Sequence, residues 1–525
     1  MKNRITRALC AVLAAALLTG CGSRESSEGV SIADFGGSGG VDYSGTDTAG
    51  VTSAESVPES TTTGDLPEQT AHFAEPQTTT SDPEYSEPAG TTPAEKTTAR
   101  TDATESSPSS SDSTNSGTSA STTSGTTAAA TTKSTSTAAT TAAEPDTPEY
   151  RFGSNSYQAV NYSEIKGIWI SYIELSELMQ GQSESGFRSN IAEVFDNSVE
   201  LGINTVYVHV RSHSDAYYKS ELFPWSKYVT GTLGSDPGYD PLAVMLREAH
   251  DRGLSFQAWI NPLRACSTSQ IGSYGSYPVY TFATAAGMAG KYAVDVNGTY
   301  YLNPAYEQVT ELIAAGAAEI LANYNVDGLH IDDYFYPTTD ASFDSSAFSA
   351  SSASSLSDFR FANCDRMVSE LYSAVKKTNP TAVFSVSVQG RIENNYTQLY
   401  ADVRKWCTTS GYLDVIIPQI YYGFENSSAP YKATLDEWEA LAVKGGIPLV
   451  AGLSVSKVGC EDTWAGSGKY EWINNSDIIS RQLAAAKECR SYGGFALYSY
   501  RSVFTPDSSV SAAVGRELSS LKELI

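Results

Sequence analysis

The sequence predicts a (β/α)8 barrel of the α/β class, preceded by a disordered Ser/Thr-rich linker. Eight short apolar runs lie along residues 165–500, and each ends at polar or aromatic residues. Helical patterns separate most of them, and eight strands alternating with helices is the number that closes such a barrel. These barrels carry their chemistry at the C-terminal ends of the strands, so few positions need to be considered as functional.

The segments between the runs supply the helices. The Asp-Pro pair at 240–241 and the Asn-Pro pair at 303–304 each predict a helix that starts with an N-cap and a first-turn proline. Residues 187–201 carry apolar side chains at helical spacing, and Val199 belongs to that predicted buried face. The eight runs are, in order, GIWISY (167–172), NTVYVHVR (204–211), SFQAWIN (255–261), GLHIDD (328–333), VFSVSVQ (383–389), DVIIPQIYY (414–422), PLVAGLS (448–454) and GFALYSY (494–500).

Residues 1–20 start with a basic segment and continue with the apolar run ALCAVLAAALL. The run is too short to cross a bilayer, and the pattern is typical of a signal peptide. The sequence Leu-Thr-Gly-Cys at 18–21 resembles the lipobox of bacterial lipoproteins, which implies cleavage before Cys21 and lipidation of its sulfur. We therefore expect an extracytoplasmic protein, lipid-anchored to the bacterial cell membrane. Ordinary secretion is the alternative.

Residues 21–150 are dominated by small and polar residues and lack apolar periodicity, so we expect a disordered acidic tether there. Residues 151–525 are long enough for one barrel with loops, and we expect a monomer. The chain holds 60 acidic and 34 basic residues, a formal net charge of −26. This balance argues against nucleic acid as a partner and leaves the lipid on Cys21 as the expected contact with the membrane.

The seven cysteines form no recognisable ligand or disulfide set. Cys10 lies in the predicted signal peptide, Cys21 takes the lipid, and the five others are scattered without a Cys-x-x-Cys pair. The chain also has only five histidines, so we expect no metal site and no cofactor. The same scarcity of ligands argues against a metal-dependent deacetylase.

Side chains alternate across a strand, so each run divides into a set that faces the helices and a set that faces the barrel interior. In the second run the valines at 206, 208 and 210 suit the helix layer, which turns His209 and Arg211 inward. The inward residues of the other runs include Trp259, Asn261, His330, Asp332, Ser385, Ser387, Gln389, Gln419, Tyr421 and Tyr498.

The inward set is polar and aromatic, which favours a carbohydrate ligand. Aromatic rings stack on the C–H faces of sugars, and planar polar groups bind their hydroxyls in pairs. A single aromatic residue in a barrel more often packs than binds a ligand, but several at one strand-end face favour binding. We therefore expect a polysaccharide substrate.

The fourth run holds the strongest catalytic candidate, Asp332, with His330 two residues before it on the same face. Glycoside cleavage has an oxocarbenium-like transition state, whose positive charge a carboxylate stabilises. Asp332 could act as a nucleophile or as an electrostatic stabiliser. Asp333 is the weaker candidate, because it should point the other way unless the strand has ended. The alternative for Asp332 is a structural carboxylate paired with Arg211.

The same run shares Asp327, Gly328 and Asp332 with the Asp-Gly-x-Asp-x-Asp-x-Glu signature of family 18 chitinases. Tyr334 stands where those chitinases carry their proton-donating glutamate, so their mechanism is not carried over.

A longer resemblance is to the glycosyl-hydrolase-like family 10 proteins. It rests on GIWISY, the segment from NTVYVHVR to SFQAWINPLR, GLHIDDYFYP, FRFANCDRMV and YLDVIIPQIYY, in register over about residues 165–460. The resemblance implies a (β/α)8 glycosidase, often extracytoplasmic, and some members cut peptidoglycan glycan strands that lack stem peptides. It implies functional positions at Arg211, Trp259, Asn261, Asp332, Asp333, Arg360, Asn363, Gln419 and Tyr421.

A glycosidase normally needs a second carboxylate whose raised pKa lets it donate a proton. Glu393, four residues after the fifth strand, is the preferred candidate, and Glu425 and Asp215 are the others. If the substrate carries N-acetyl groups, its own amide could replace the nucleophile, and Asp332 could orient it.

The sequence therefore predicts a surface-anchored glycosidase acting on amino-sugar polysaccharide, foremost peptidoglycan glycan strands, with Asp332, Asp333 and Glu393 as catalytic candidates. A non-catalytic wall-binding barrel, favoured by the missing second carboxylate, and a hydrolase of another glucan are the alternatives. The predicted substrate-binding residues are His209, Arg211, Trp259, Asn261, His330, Gln419, Tyr421 and Tyr498.

Overall fold

The computed structural model describes residues 156–525. The predicted signal peptide, the tether and the lipidation site Cys21 lie outside the described residues. The strands are β1 Ile165–Ile170, β2 Thr205–Arg211, β3 Ser255–Ile260, β4 Arg264–Ser267, β5 Ala293–Val296, β6 Thr299–Leu302, β7 Gly328–Ile331, β8 Val383–Gln389, β9 Val415–Gln419, β10 Leu449–Ser454 and β11 Tyr492–Tyr498.

The α-helices alternate with the barrel strands, and 3₁₀ helices occupy some of the loops. The α-helices are α1 Tyr172–Met179, α2 Glu184–Glu200, α3 Lys227–Thr230, α4 Pro241–His250, α5 Pro278–Thr284, α6 Glu307–Asn323, α7 Ser345–Ala350, α8 Leu356–Thr378, α9 Ile392–Thr397, α10 Val403–Thr408, α11 Tyr431–Gly445, α12 Glu471–Asn474, α13 Ile478–Lys487, α14 Tyr500–Phe504 and α15 Ser511–Lys522. The 3₁₀ helices are Thr268–Tyr274, Ala341–Phe343, Val455–Lys457 and Gly466–Gly468.

Eight parallel strands close into a barrel in the order β1-β11-β10-β9-β8-β7-β3-β2, which confirms the predicted (β/α)8 fold. Each predicted run overlaps one barrel strand, with bounds shifted by a few residues. The shift that matters for the site is in β7, which ends at Ile331, two residues before the end of the predicted run.

Of the two helix starts predicted from an N-cap followed by proline, the structure has one at the predicted position and one further along the chain. The side chain of Asp240 accepts a hydrogen bond from the Ala243 amide at 3.2 Å and caps α4, as predicted. The helix predicted at 303–304 begins instead at Glu307, because the Asn303 side chain accepts from the Ala305 amide at 3.0 Å and forms a turn first. Val199, predicted to be buried, is 42% exposed.

Two separate apolar clusters fill the barrel wall and its interior. The larger one lies between strands and helices and includes Val206, Val208 and Val210. The smaller one fills the barrel interior and includes Trp169, Tyr207, Trp259, Val415, Ile417, Val450 and Ala496. The alternation of β2 is therefore as predicted up to His209, where a register shift against β3 interrupts it.

The long segment after β3 contains secondary structure of its own. Strands β4, β6 and β5 form a three-stranded antiparallel sheet in that order. The sheet begins at Arg264, three residues after the barrel strand's polar end at Asn261, and so keeps that arginine close to the C-terminal rim.

A short segment ahead of β1 crosses the opposite, N-terminal end of the barrel. The carboxylate of Asp327, which directly precedes β7, accepts from the Tyr157 hydroxyl at 2.7 Å, the Val160 amide at 2.6 Å and the Phe256 amide at 2.8 Å, and it contacts His250 Nε2 at 2.8 Å. This single buried carboxylate ties three parts of the chain together at the base.

Gly328 starts β7 because no side chain fits there. A Cβ at this position would lie 1.9 Å from the side-chain oxygen of Gln257 and 2.5 Å from the Val383 carbonyl oxygen. The Asp-Gly pair at 327–328 is thus explained by packing at the base of the barrel.

Candidate active site

Two consecutive aspartates occupy the C-terminal end of the fourth barrel strand. Because β7 ends at Ile331, the strict alternation stops there, and both Asp332 and Asp333 reach the mouth. Asp332 is 4% exposed, and its Oδ1 accepts from the Tyr334 amide at 3.4 Å. Asp333 is half-buried, and its Oδ1 accepts from Gln419 Nε2 at 3.2 Å across the mouth.

The two carboxyl groups differ in their tendency to hold a proton. Burial, and next the negative charge of Asp333, raise the pKa of Asp332 well above 3.8. The Tyr334 amide, the indole N–H of Trp259 and the charge of Arg264 oppose this rise in pKa without cancelling it. Asp332 is therefore shifted toward holding a proton, while the side-chain amide of Gln419 donates a hydrogen bond to the carboxylate of Asp333.

Aromatic rings form one wall of this mouth. Tyr421 stacks on Tyr498 with ring centroids 5.8 Å apart, and Trp169 meets Tyr498 edge-on at 6.2 Å. Burial, then the neighbouring tyrosine and carboxylates, raise the pKa of Tyr421 well above 10, so its hydroxyl stays neutral and can donate a hydrogen bond. Gln419, Tyr421 and Tyr498 thus lie together beside the aspartate pair, and they are exposed enough to meet a ligand.

His209, Trp259 and Asn261 form a compact group on the neighbouring strands. The imidazole of His209 stacks on the indole of Trp259 with centroids 3.3 Å apart and an interplanar angle of 18°. Its Nδ1 accepts from the Tyr172 amide at 3.1 Å, and its Nε2 lies 3.4 Å from Asn261 Oδ1. Both nitrogens of His209 are therefore occupied by the protein, so His209 supports the site rather than contacting substrate.

Arg264 is a site residue that sequence reasoning missed. Its buried guanidinium lies over the rings of Tyr172, at 5.8 Å, and Tyr334, at 5.6 Å. Its positive charge offsets part of the rise in the pKa values of Asp332 and Asp215. The available signal was a cation three residues after the polar end of a barrel strand, which by itself describes an ordinary loop residue.

His330, predicted to bind substrate, is placed differently by the structure. It lies fully buried in the barrel interior, where its Nε2 accepts from the Trp169 indole N–H at 3.1 Å and its Nδ1 lies 2.8 Å from Ser385 Oγ. Burial lowers its pKa to about 3, so the ring is neutral. The predicted contact with substrate is therefore replaced by a packing role beneath the mouth.

Arg211 also differs from its predicted inward position. At the register shift of β2 its side chain turns to the helix layer, where the guanidinium lies 4.4 Å from the centroid of the Phe223 ring. A Cβ on Gly316 of α6 would lie 2.1 Å from Arg211 Nη1, so the helix approaches the arginine closely. The structure thus places this side chain in the helix layer instead of the predicted pocket, and the alternative pairing of Asp332 with Arg211 is not formed.

The candidate second carboxylates outside the pair lie elsewhere. The Glu393 side chain, on α9, is 65% exposed and lies 3.8 Å from Arg404, and Glu425 is exposed on the loop after β9. Asp215 is buried after β2, and burial raises its pKa to about 6. Among the carboxylates, it is the negative charge of Asp333, the weaker sequence candidate, that raises the pKa of Asp332.

Two positions implied by the family resemblance anchor a loop instead of contacting the mouth. Arg360 pairs with Asp344 at 2.7 Å, both side chains being fully buried, and donates to the carbonyl oxygens of Thr338 and Asp340. Asn363 Nδ2 lies 3.3 Å from the Tyr336 hydroxyl. This arrangement holds the loop that follows the aspartate pair.

Between residues 156 and 525, no group of three histidine, cysteine or acidic side chains is arranged to hold a metal ion. No helix of this part of the chain is long and apolar enough to span a bilayer. Its cysteines are free, and Cys266, Cys364 and Cys407 are buried.

The closed parallel barrel of eight strands is a (β/α)8 fold, and the comparisons with known proteins identify it as a glycosidase. The family model "Glycosyl hydrolase-like 10" matches residues 164–465, and the chain belongs to that family. Similar relatives include glycosyl hydrolase YngK of Bacillus subtilis, 29% identical over 62% of this chain and 67% of YngK. Glycosyl hydrolase DigH of Escherichia coli K12 is 31% identical over 50% of this chain and 65% of DigH. The chain thus spans about two thirds of these relatives.

Solved structures give a weaker likeness. The PgaB (BpsB) glycoside hydrolase domain of Bordetella bronchiseptica aligns at 11% identity and a TM-score of 0.44, covering 67% of this chain and 98% of that domain. The catalytic domain of a Paenibacillus polymyxa β-amylase aligns at 12% identity and a TM-score of 0.42, covering 69% and 98%.

Proposed function

We propose that this barrel hydrolyses polysaccharides of β-linked N-acetylated amino sugars, with peptidoglycan glycan strands as the foremost candidate and Asp332 as the central acid. The observation that carries the proposal is the pair of consecutive aspartates beside stacked tyrosine rings, in which the pKa of Asp332 is raised and Asp333 accepts a hydrogen bond from Gln419.

Each aspartate has a distinct role in the proposed reaction. Asp332 gives its proton to the glycosidic oxygen as the bond to the anomeric carbon breaks. The charged Asp333 accepts a hydrogen bond from the N–H of the substrate's acetamido group. The acetamido oxygen then attacks the anomeric carbon and forms a cyclic oxazolinium ion, and water, deprotonated by Asp332, opens that ring to give the free sugar.

The position of the two carboxylates supports participation of the substrate's own amide. An enzyme nucleophile and an acid flank the scissile bond from opposite sides. Here both acids come from one strand end, and the residues beside them, Gln419, Tyr421 and Tyr498, carry no carboxylate. An acetamido group fills the missing nucleophilic role, which favours amino-sugar polymers over plain glucans. Asp333 also supplies the second carboxylate whose apparent absence favoured a non-catalytic wall-binding barrel.

The test uses the full chain with denuded peptidoglycan strands, chitin oligosaccharides and a β-glucan. We expect release of reducing sugars from the amino-sugar polymers, and losses of about 10²- to 10⁴-fold in kcat for Asp332→Asn and for Asp333→Asn. The matched control Glu393→Gln should retain full turnover. A thiazoline analogue of the oxazolinium ion should inhibit. Turnover of only the β-glucan would reject the substrate class, and an active Asp332→Asn would reject the acid.

The location of the protein is a separate part of the proposal, since it rests on the sequence before the described residues. We infer that lipid on Cys21 anchors the chain to the outer face of the bacterial membrane, with residues 21–150 as its tether. Cys21→Ser should move the protein from the membrane fraction to the medium. Equal membrane association of this variant and the unchanged chain would reject the anchor.

A further inference from the structure

Asn261 and Asp332 lie side by side at the mouth. Strands β3 and β7 are parallel neighbours, and their register pairs Ile260 with Ile331. The next residue on each strand is Asn261 and Asp332, so the two backbones lie level, about 4.8 Å apart. A group held by the Asn261 side chain is therefore held next to the proposed acid.

The amide nitrogen of Asn261 is a buried donor with no hydrogen-bond partner among residues 156–525. The residue is only 2% exposed, so water does not replace the missing partner freely. Leaving such a group unpaired destabilises the folded protein, and native proteins leave few of them without a reason. The position of Asn261 at the mouth suggests that a bound ligand accepts this hydrogen bond.

His209 determines which end of the amide is presented. The Tyr172 backbone N–H donates to His209 Nδ1 at 3.1 Å, so the proton of the neutral ring is on Nε2. That N–H faces Asn261 Oδ1 at 3.4 Å. If the Asn261 side-chain amide were rotated by 180°, its N–H₂ group would face the Nε2–H donor of His209 and no hydrogen bond could form. The observed orientation is therefore the one that allows the hydrogen bond. The stack on Trp259 fixes the plane of the imidazole.

We propose that His209 is a positioning residue that turns the amide of Asn261, so that its N–H₂ group binds an acceptor oxygen of the sugar held beside Asp332. The ligand chemistry is a hydroxyl, ether or carbonyl oxygen, because an amide nitrogen can only donate. The proposal rests on the proposed function, since it assigns a contact within the same sugar site. It also explains why His209 sits at the mouth without either nitrogen free.

A double-mutant cycle on the full chain tests the coupling. Asn261→Ala should lower kcat/KM by about 10- to 100-fold. His209→Phe keeps a flat ring against Trp259 but has no donor, and it should lower kcat/KM by about tenfold. In the Asn261→Ala background, His209→Phe should lower kcat/KM by less than about twofold, because His209 acts on substrate binding only by orienting Asn261. His209→Gln offers an amide N–H to Asn261 and should recover activity to within about threefold of the unchanged protein.

A merely structural role for His209 predicts a different result. His209→Phe would then cost the same in both backgrounds, and His209→Gln would not rescue, either of which overturns the proposal. Thermal unfolding of each variant identifies losses that come from misfolding. Nitrogen-15 spectra of the histidine side chains give a readout without turnover: we expect a neutral Nε2–H tautomer for His209, and an Nδ1–H tautomer overturns the assignment.

Failure of the proposed function is distinguishable from failure of this inference. If the unchanged chain cleaves no glycan, the function fails, and the cycle is then measured on the binding of N,N′-diacetylchitobiose by calorimetry. Coupled losses of affinity would support the positioning role even so, whereas additive losses or no binding would overturn it. If the chain cleaves amino-sugar polymers and the cycle is additive, only the positioning role fails.

Discussion

Asp215 offers a quantitative test of the electrostatics around the mouth. This aspartate lies just after β2, is buried, and has an Oδ1 without a hydrogen-bond partner in the described part of the chain. Burial raises its pKa from 3.8 to about 6, against the opposing effects of Ser226, Lys227 and Arg264. We expect Asp215→Asn to stabilise the folded protein at neutral pH.

The magnitude follows from the two pKa values. A folded-state pKa above the unfolded one means that the native protein binds the proton more tightly, so ionisation destabilises it. The penalty is absent below pH 3.8, grows as the pH rises through about 6, and is complete above that value. The difference between 3.8 and about 6 corresponds to ~3 kcal/mol. Asp215 is almost fully buried, so solvent screening does not reduce this figure greatly.

The assay is urea unfolding of both proteins between pH 4 and pH 7.5. The stability of Asp215→Asn relative to the unchanged chain should rise by ~2–3 kcal/mol over this range, because only the aspartate titrates. Turnover should stay within a few-fold, since Asp215 is assigned no catalytic role. A stability difference that is constant with pH would refute the electrostatic reasoning. A hundredfold loss of turnover would instead make Asp215 the catalytic acid.

Three further substitutions test packing and binding. Arg360→Ala leaves Asp344 buried without its cation and should lower the free energy of unfolding by about 3–5 kcal/mol. Gly316→Ala places a methyl group on the Arg211 guanidinium and should cost roughly 1–3 kcal/mol by the same measurement. Tyr498→Ala removes one wall of the sugar site and should raise KM about tenfold, with a smaller change in kcat.

Each of these has a matched control on the surface. Lys432→Ala breaks the exposed pair with Asp436 and should cost less than about 1 kcal/mol. Gly515→Ala, where a Cβ meets nothing within 4 Å, should be neutral or slightly stabilising. Tyr470→Ala removes an aromatic side chain that is 45% exposed and should leave KM unchanged. Equal effects in test and control would contradict the corresponding argument.

Much of the fold was accessible from the sequence because hydrophobic patterning decides it. The apolar runs located every barrel strand, and the alternation of β2 placed Val206 and Val208 on the helix side. The bulge that follows was not accessible, since nothing in Val-His-Val-Arg signals a register shift. One such shift was enough to move Arg211 from the predicted pocket to the helix layer.

The site was predicted less completely than the fold. The sequence pattern gives neither the height of a side chain along the barrel nor the residue at which a strand ends. Alternation gives the direction of a side chain but not its height along the barrel, so His330 was assigned to the mouth although it packs beneath it. Asp333 was undervalued because strand ends cannot be read to within two residues. The position of Arg264 depends on the small antiparallel sheet, which no sequence pattern predicted.

The Asp327 junction at the base determines how the barrel is held. The segment ahead of β1 contacts the barrel at the end remote from Asp332, and the five residue steps from Asp327 to Asp332 along β7 span about 17 Å. A restraint on the N-terminal side of the described residues would therefore act on the N-terminal end of the barrel. The C-terminal end, where Asp332 lies, would remain accessible. Mechanical load on that side would reach the Tyr157 and Val160 contacts first, sparing the geometry on which bond cleavage depends.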